Sequence, residues 1–248
     1  EGVSGMEQGA IAVRRACADA GVEWKDIQFA FGGSSAAGAP DTMVSQLGLT
    51  GLQFINVQNG CATGGSALFS AYNTIMSGAY DLGMAIGFDK HERGAFRVET
   101  KAREGRDWYG GSGMALTTQF FGMKINRYMQ ENNISQRSLA RVAAKAMRNG
   151  SMNPMAWRRK ALTEEEVLQS QMLSYPLTQY MFCSPGEGGV ALILARADQA
   201  HKYTKNPVYL QSAVVRSRRF GSFEVLAPSL SLEYGEGPTV DAYKAAFE

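Results

Sequence analysis

The sequence predicts an α/β fold in which a mostly parallel sheet carries helices and is interrupted by a helical insertion. Three observations lead there. Over residues 4–88, segments of helical and strand periodicity alternate, a rhythm that parallel strands joined by crossover helices require. From Thr42 to Tyr80 no side chain is charged, so the strand and helix read within that stretch are expected to be enclosed. At Asp89 the rhythm stops: a basic segment rich in Met and aromatic residues runs to about Ser184 before a buried strand returns. A chain of 248 residues with 45% hydrophobic content can bury one large α/β domain or one and a half.

In chain order, residues 4–20 place Met6, Ala10, Val13 and Cys17 on one helical face and end at Gly21, which predicts an amphipathic outer helix with Cys17 in the core. Lys25-Asp26-Ile27 leads into a strand, QFAFGG, followed by the small-residue loop SSAAGAPD and a short helix over 41–49. Phe54, Ile55 and Val57 form a β-prone run, Asn59 and Gly60 supply a turn, and Ala62–Ala79 reads as a helix. The apolar run to Phe88 is the next strand, DLGMAIGF, of the type covered on both faces. Within the insertion, helices are expected over Met114–Asn132 and over Ser135–Asn149, with Ser135 as N-cap; Thr163 and Glu166 form a capping box for a third. Strands are expected at Val190–Ala195 and Val208–Arg216, and a final helix begins at Thr239.

Composition removes several function classes. A net charge of +2 gives no reason to expect nucleic acid as a partner. The uncharged stretch carries Gln46, Gln53, Asn56, Gln58, Asn59 and Asn73 among many glycines, which does not suit a membrane span. Cys17, Cys61 and Cys183, with His91 and His201, give neither a disulfide framework nor a metal-ligand pattern, so no metal is expected and a reducing, cytoplasmic setting is. Because the chain starts at Glu1 rather than Met, a trimmed N-terminus is expected.

The chemistry centres on Cys61. It stands where an apolar strand turns into a helix, so unpaired N–H groups and the positive end of the helix dipole favour its thiolate, and the same elbow can present an N–H to an oxyanion. The competing reading is a packed structural cysteine. Gly64 and Gly65, each costing about 1 kcal/mol relative to alanine in a helix, suggest that something approaches the backbone there.

Four stretches carry a resemblance. NGCATGGSAL at Cys61 resembles the nucleophile motif of the thiolase superfamily, in particular its sterol-carrier-protein thiolases and lipid-transfer-protein relatives. GFDK (Gly87–Lys90) is similar to the GFEK of that family; RNGSMNP (Arg148–Pro154) resembles a KNHxxxxNP segment of its loop domain; and PLTQYMFCSPGEGGVALILA is similar to its PLTxLxCCPTSDGAAAAIL region. The resemblance implies a layered αβαβα fold with a buried central helix, divided as 1–88 (first part of the N-terminal domain), 89–184 (loop domain), 185–204 (last strand of that domain) and 205–248 (start of a truncated C-terminal domain).

It also implies function. Cys61 would attack a 3-oxoacyl-CoA and carry the acyl group as a thioester; coenzyme A is substrate, and no bound cofactor is implied. Substrate or coenzyme A contacts fall on Gly64, Gly65, Arg148, Asn153, Gly188 and Gly189. The local excess of Lys101, Arg103, Arg106, Arg141, Lys145, Arg148, Arg158, Arg159 and Lys160 reads either as a solvated helical surface or as a rim for the nucleotide phosphates. A homodimer is implied. The family's activating histidine and second cysteine belong to segments that would lie beyond Glu248, and neither His91 nor His201 matches them. Asp89 in place of Glu, and SPGEGG with Glu187 where Asp is commoner, point toward the lipid-transfer-protein branch. That branch includes retro-aldolases of steroid side-chain acyl-CoA with a small OB-fold (DUF35-type) partner. A non-catalytic acyl-CoA or lipid-binding protein is the reading from another class.

Overall fold

The computed structural model describes residues 2–92, 117–183, 185–217 and 238–247, which belong to two compact units. Residues up to 92, with 185–217 and 238–247, form the first; residues 117–183 belong to the second.

The first unit starts with helix α1, Gly5–Ala20. Ser4 caps it by accepting the Glu7 N–H at 3.1 Å, and Gly21, at φ 64°, ends it in the left-handed conformation that glycine adopts without penalty. Strand β1 (Phe29–Gly33), the single-turn helix α2 (Val44–Leu47), β2 (Gln53–Asn56), α3 (Thr63–Met76) and β3 (Leu82–Lys90) follow. Strand β6 (Glu187–Ala195) returns after the second unit. The sheet order is β2-β1-β3-β6, with β1 parallel to β2 and β3, and β6 antiparallel to β3. This is the mixed, mostly parallel α/β arrangement that the alternation predicts.

Two cores lie on opposite faces of the sheet. Under α1, Ala10, Val13 and Cys17 pack with Ala30, Met43, Met84, Ile86 and Phe88. Under α3, Ala67, Ala71 and Ile75 pack with Phe29, Phe31 and Ala85. Glycines set the first approach: a Cβ on Gly9 would meet Met43 at 2.6 Å and Phe88 at 2.7 Å, and one on Gly189 would lie 2.6 Å from the Gln8 carbonyl oxygen. Cys17 is core, as expected, and burial pushes its thiol pKa up, with Asp26 adding to the effect.

Enclosure of Thr42–Tyr80 holds on one face only. One strand layer covers the Ala67/Ala71/Ile75 stripe of α3, whereas Leu49, Ile55 and Met76 are 87%, 43% and 65% exposed. The expected strand at Val208–Arg216 also does not form: among the described residues it pairs with no strand, and a strand without a partner leaves its backbone groups unpaired. Its backbone is held instead by Tyr72, whose hydroxyl donates to the Gln211 carbonyl at 3.3 Å. The last helix, Pro238–Phe247, is present.

The second unit contains α4 (Thr117–Asn132), α5 (Gln136–Met152), α6 (Glu164–Leu168) and a short hairpin, β4 (Met172–Ser174) with β5 (Leu177–Thr178), whose turn carries a cis Tyr175–Pro176 bond. The Thr163–Glu166 capping box is formed in both directions. Ser135 stands at the N-cap of α5, but its hydroxyl pairs with that of Ser138 instead of capping a backbone N–H. Buried Thr178 donates to the Val167 carbonyl at 2.8 Å, which ties the hairpin to α6. The expected helix start at Met114, with Lys101, Arg103 and Arg106, lies outside the described residues.

Candidate active site

Strands β1 and β2 end side by side, and the Val57 N–H continues their ladder to the Gly32 carbonyl at 2.8 Å. The chain then turns through Gly60 (φ 51°), a conformation suited to glycine, and makes one 3-10 turn over Gly60–Ala62 before α3 begins. Cys61 is in that turn, exposed, at the C-terminal edge of the parallel strands. Open α/β sheets hold their ligands at this edge.

The elbow is held by its own polar residues. Thr63 Oγ1 donates to the Gly60 carbonyl at 2.7 Å and accepts the Asn59 N–H at 2.9 Å, while the Asn59 amide donates to Ser66 Oγ at 2.8 Å. The Thr63 methyl packs where a side chain on Gly33 would stand, so the elbow sits directly on the end of β1. The Ala62 N–H is taken by the Asn59 carbonyl at 3.0 Å. N–H groups in the first turn of a helix have no partner four residues back, and the N-cap residue Ala62 has no side-chain oxygen to supply one. Gly64 and Gly65 occupy that turn, and among the described residues a Cβ on either meets no atom outside the local helix within 4 Å. The close approach their presence suggests is therefore not made by any described residue, and among the described residues the first turn of α3 is open beside the thiol.

Two of the quoted motifs meet at the neighbouring strand ends, a link not visible from spacing. GFDK ends β3 and PGEGG begins β6, in register as Asp89 with Gly188 and Lys90 with Glu187. Lys90 Nζ lies 3.2 Å from the Glu187 carboxylate and donates to the Val3 carbonyl at 2.8 Å; Gln8 donates to Glu187 at 3.3 Å. Lys90 and then Gln8 hold the Glu187 pKa below the usual range. Glu187 is thus a strand residue bracing α1, and not part of a turn. The Asp89 carboxylate accepts the N–H groups of Ser35 (2.9 Å) and Ala36 (2.8 Å), fixing the SSAAG loop after β1, and lies 3.3 Å from His91 Nε2. Burial pushes the Asp89 pKa up, but the N–H groups of Ala36, Ser35 and Lys90, with His91, outweigh it, and the net shift is downward.

The remaining predicted contacts separate. A Cβ on Gly188 meets nothing within 4 Å, whereas Gly189 is closed against α1. In the second unit, Arg148 is exposed near the end of α5, and Asn153 Oδ1 accepts the Met155 N–H at 2.9 Å in a tight turn. Arg137 and Arg141 pair with Glu164 and Glu165, while Lys145, Arg148 and Arg159 make no ion pair among the described residues. Cys183 is exposed and begins no helix. Among the described residues no group of three His, Cys, Asp or Glu side chains is placed to hold a metal ion, and no helix is long and apolar enough to cross a membrane.

Comparison with known proteins agrees with this geometry. Residues 2–162 match the family model described as thiolase, N-terminal domain. An acetyl-CoA acetyltransferase of Methanothermobacter thermautotrophicus is 31% identical over 208 residues, covering 80% of this chain and 54% of that protein. Sterol carrier protein 2 of Gallus gallus is 28% identical over 229 residues, 86% of this chain and 42% of its own length. Among solved structures, an Ltp2-ChsH2(DUF35) aldolase shares the fold, with a TM-score of 0.68 at 21% identity over 82% of this chain and 54% of that one. The chain spans about half the length of the curated relatives it matches. A family model that covers residues 2–162, together with a cysteine at the expected elbow, establishes that this chain belongs to the thiolase family.

Proposed function

We propose that the protein catalyses thiolase-type carbon–carbon chemistry on an acyl-CoA, with Cys61 as nucleophile. The Cys61 sulfur adds to C3 of a 3-oxoacyl-CoA, and the C2–C3 bond breaks. Its electron pair leaves on C2 and takes up a proton, which releases acetyl-CoA or its homologue and leaves the shortened acyl group on sulfur. A second coenzyme A attacks that thioester, releasing the new acyl-CoA and the free thiol. The supporting observation is the exposed thiol at the uncapped first turn of α3, at the edge of the parallel strands.

In this reading Gly64, Gly65 and Gly188 leave room for substrate, and Arg148 meets the phosphates of coenzyme A. Gly189 and Asn153 support the site through packing and a turn. The uncharged outer face of β2 and α3 is the surface of a homodimer, and the protein is cytoplasmic. Iodoacetamide at neutral pH tests the reading, with exposed Cys183 as internal control. Faster labelling of Cys61, suppressed by acyl-CoA, is expected; equal labelling of both cysteines with no protection contradicts it.

A second reading keeps the fold and changes the reaction: retro-aldol cleavage of an acyl-CoA side chain with an OB-fold partner. The likeness to an aldolase assembled with a DUF35 protein favours this over a non-catalytic lipid-binding protein. Copurification with such a partner, and cleavage that survives Cys61→Ala, distinguish it.

A further inference from the structure

From Lys145 to Lys160 the chain carries five basic residues (Lys145, Arg148, Arg158, Arg159 and Lys160) and no acidic one. The same stretch exposes three large apolar side chains: Met152 at 71%, Met155 at 73% and Trp157 at 69%. Local geometry gathers them into a tip. Asn153 closes a tight turn by accepting the Met155 N–H, and the Ala156 N–H returns to the Asn153 carbonyl at 3.1 Å. The returning segment passes so close to α5 that a Cβ on Gly150 would lie 3.2 Å from the Arg158 carbonyl. Met152 and Met155 are thus carried on the turn, with Trp157 and the basic run 158–160 immediately behind it. Arg158 lies over the Trp157 ring, 4.7 Å from its centroid, which holds cation and indole together.

Neither half of this arrangement suits water alone. Large apolar side chains clustered at a surface tip mark a contact site, and although Lys160 lies 3.6 Å from the Glu166 carboxylate, Lys145, Arg148 and Arg159 make no ion pair among the described residues and attract anions. An indole and thioethers exposed beside cationic side chains match the boundary between acyl chains and anionic headgroups. Aromatic rings settle at headgroup depth there, and Lys and Arg reach the phosphates. A free nucleotide would satisfy the charges but leave most of Met152 and Met155 in water.

We infer that the 152–160 tip is a peripheral docking site for an anionic phospholipid surface, on which the protein rests without spanning it. This assignment is independent of the chemistry proposed for Cys61. Large unilamellar vesicles of phosphatidylcholine, with and without about a third phosphatidylglycerol, test it by cosedimentation of the full protein at low and high salt. Selective binding to the anionic vesicles, weakened by salt, is expected. The double variant Met155→Ser/Trp157→Ser is expected to lose about tenfold or more in partitioning. Arg159→Gln is expected to lose about fivefold, the equivalent of about 1 kcal/mol per basic residue at an anionic surface. These side chains are largely exposed, so thermal unfolding and Cys61 labelling should match the parent protein and separate this test from the enzymatic reading. No selectivity for anionic vesicles overturns the inference. So does anionic binding unchanged by the double variant, or equal binding to soluble heparin, which would reduce the tip to a plain charged surface. Binding of coenzyme A at this tip without vesicle association would overturn it in favour of a nucleotide site.

Discussion

The two faces of the sheet use glycine differently. On the α1 face Gly9 and Gly189 are closed against neighbours, and any added carbon collides with Met43 and Phe88 or with the α1 backbone. On the α3 face Gly33 and Gly83 are also closed, against Thr63 and Phe29, but a second set, Gly64, Gly65, Gly87 and Gly188, meets no described atom within 4 Å. The first set lets a helix lie flat on a strand, and the second leaves the surroundings of Cys61 unfilled. The same residue type therefore reports packing at some positions and access at others, and only the neighbours tell which.

That contrast can be broken experimentally. The largest effect belongs to the open face: Cys61→Ala is expected to lower turnover of acyl-CoA by about 10³-fold or more while the unfolding midpoint stays within that of the parent, measured by steady-state kinetics and urea titration. On the closed face, Gly189→Ala forces the α1 backbone to move and should cost about 1–3 kcal/mol, read as a lower urea midpoint at unchanged slope; Gly188→Ala, its neighbour, should stay within about 0.5 kcal/mol. Equal costs at the two positions would dissolve the distinction between closed and open glycines.

Asp89 joins the faces at their common edge. Asp89→Ala leaves the Ser35 and Ala36 N–H groups without their acceptor and should cost about 1–3 kcal/mol. Because the folded-state pKa of Asp89 is lowered, its contribution is fully present above the unfolded value near 4 and is lost as pH falls through the folded value. The stability gap between parent and Asp89→Asn should accordingly be constant from pH 7 to 5 and narrow below about pH 4, measured by thermal melts. The smallest effect sharpens the comparison most. Gly65→Ala should raise stability by up to about 1 kcal/mol, since space is open and the residue is helical, yet lower kcat/KM. A gain in stability without loss of activity would mean that nothing approaches that turn.

Much of this was legible from residue order. The period change at Phe54–Ala62 located the elbow because strand and helix place side chains at different intervals, and Asn59-Gly60 marked the turn between them. Thr163 with Glu166 announced α6 because both capping bonds are local. What escaped was non-local. The carboxylate of Asp89 reaches loop residues 53 and 54 positions away, and Lys90 meets Glu187 across an antiparallel register set only when β6 docks. Absence of charge in Thr42–Tyr80 was read as enclosure, but it records what a surface is suited to meet. It does not record whether this chain alone covers it, and Leu49 and Ile55 remain in water. Val208–Arg216 has strand propensity without a strand partner among the described residues, a reminder that pairing is a property of two segments.

The central claim is that Cys61 carries the acyl group. Rapid acid quench of the protein with a 3-oxoacyl-CoA, followed by digestion and mass spectrometry, tests it directly. The account predicts a peptide containing Cys61 heavier by the shortened acyl group, chased away by added coenzyme A and missing from Cys61→Ala. Cleavage of the substrate with Cys61 unmodified at every quench time, or with the adduct on Cys183, would contradict it.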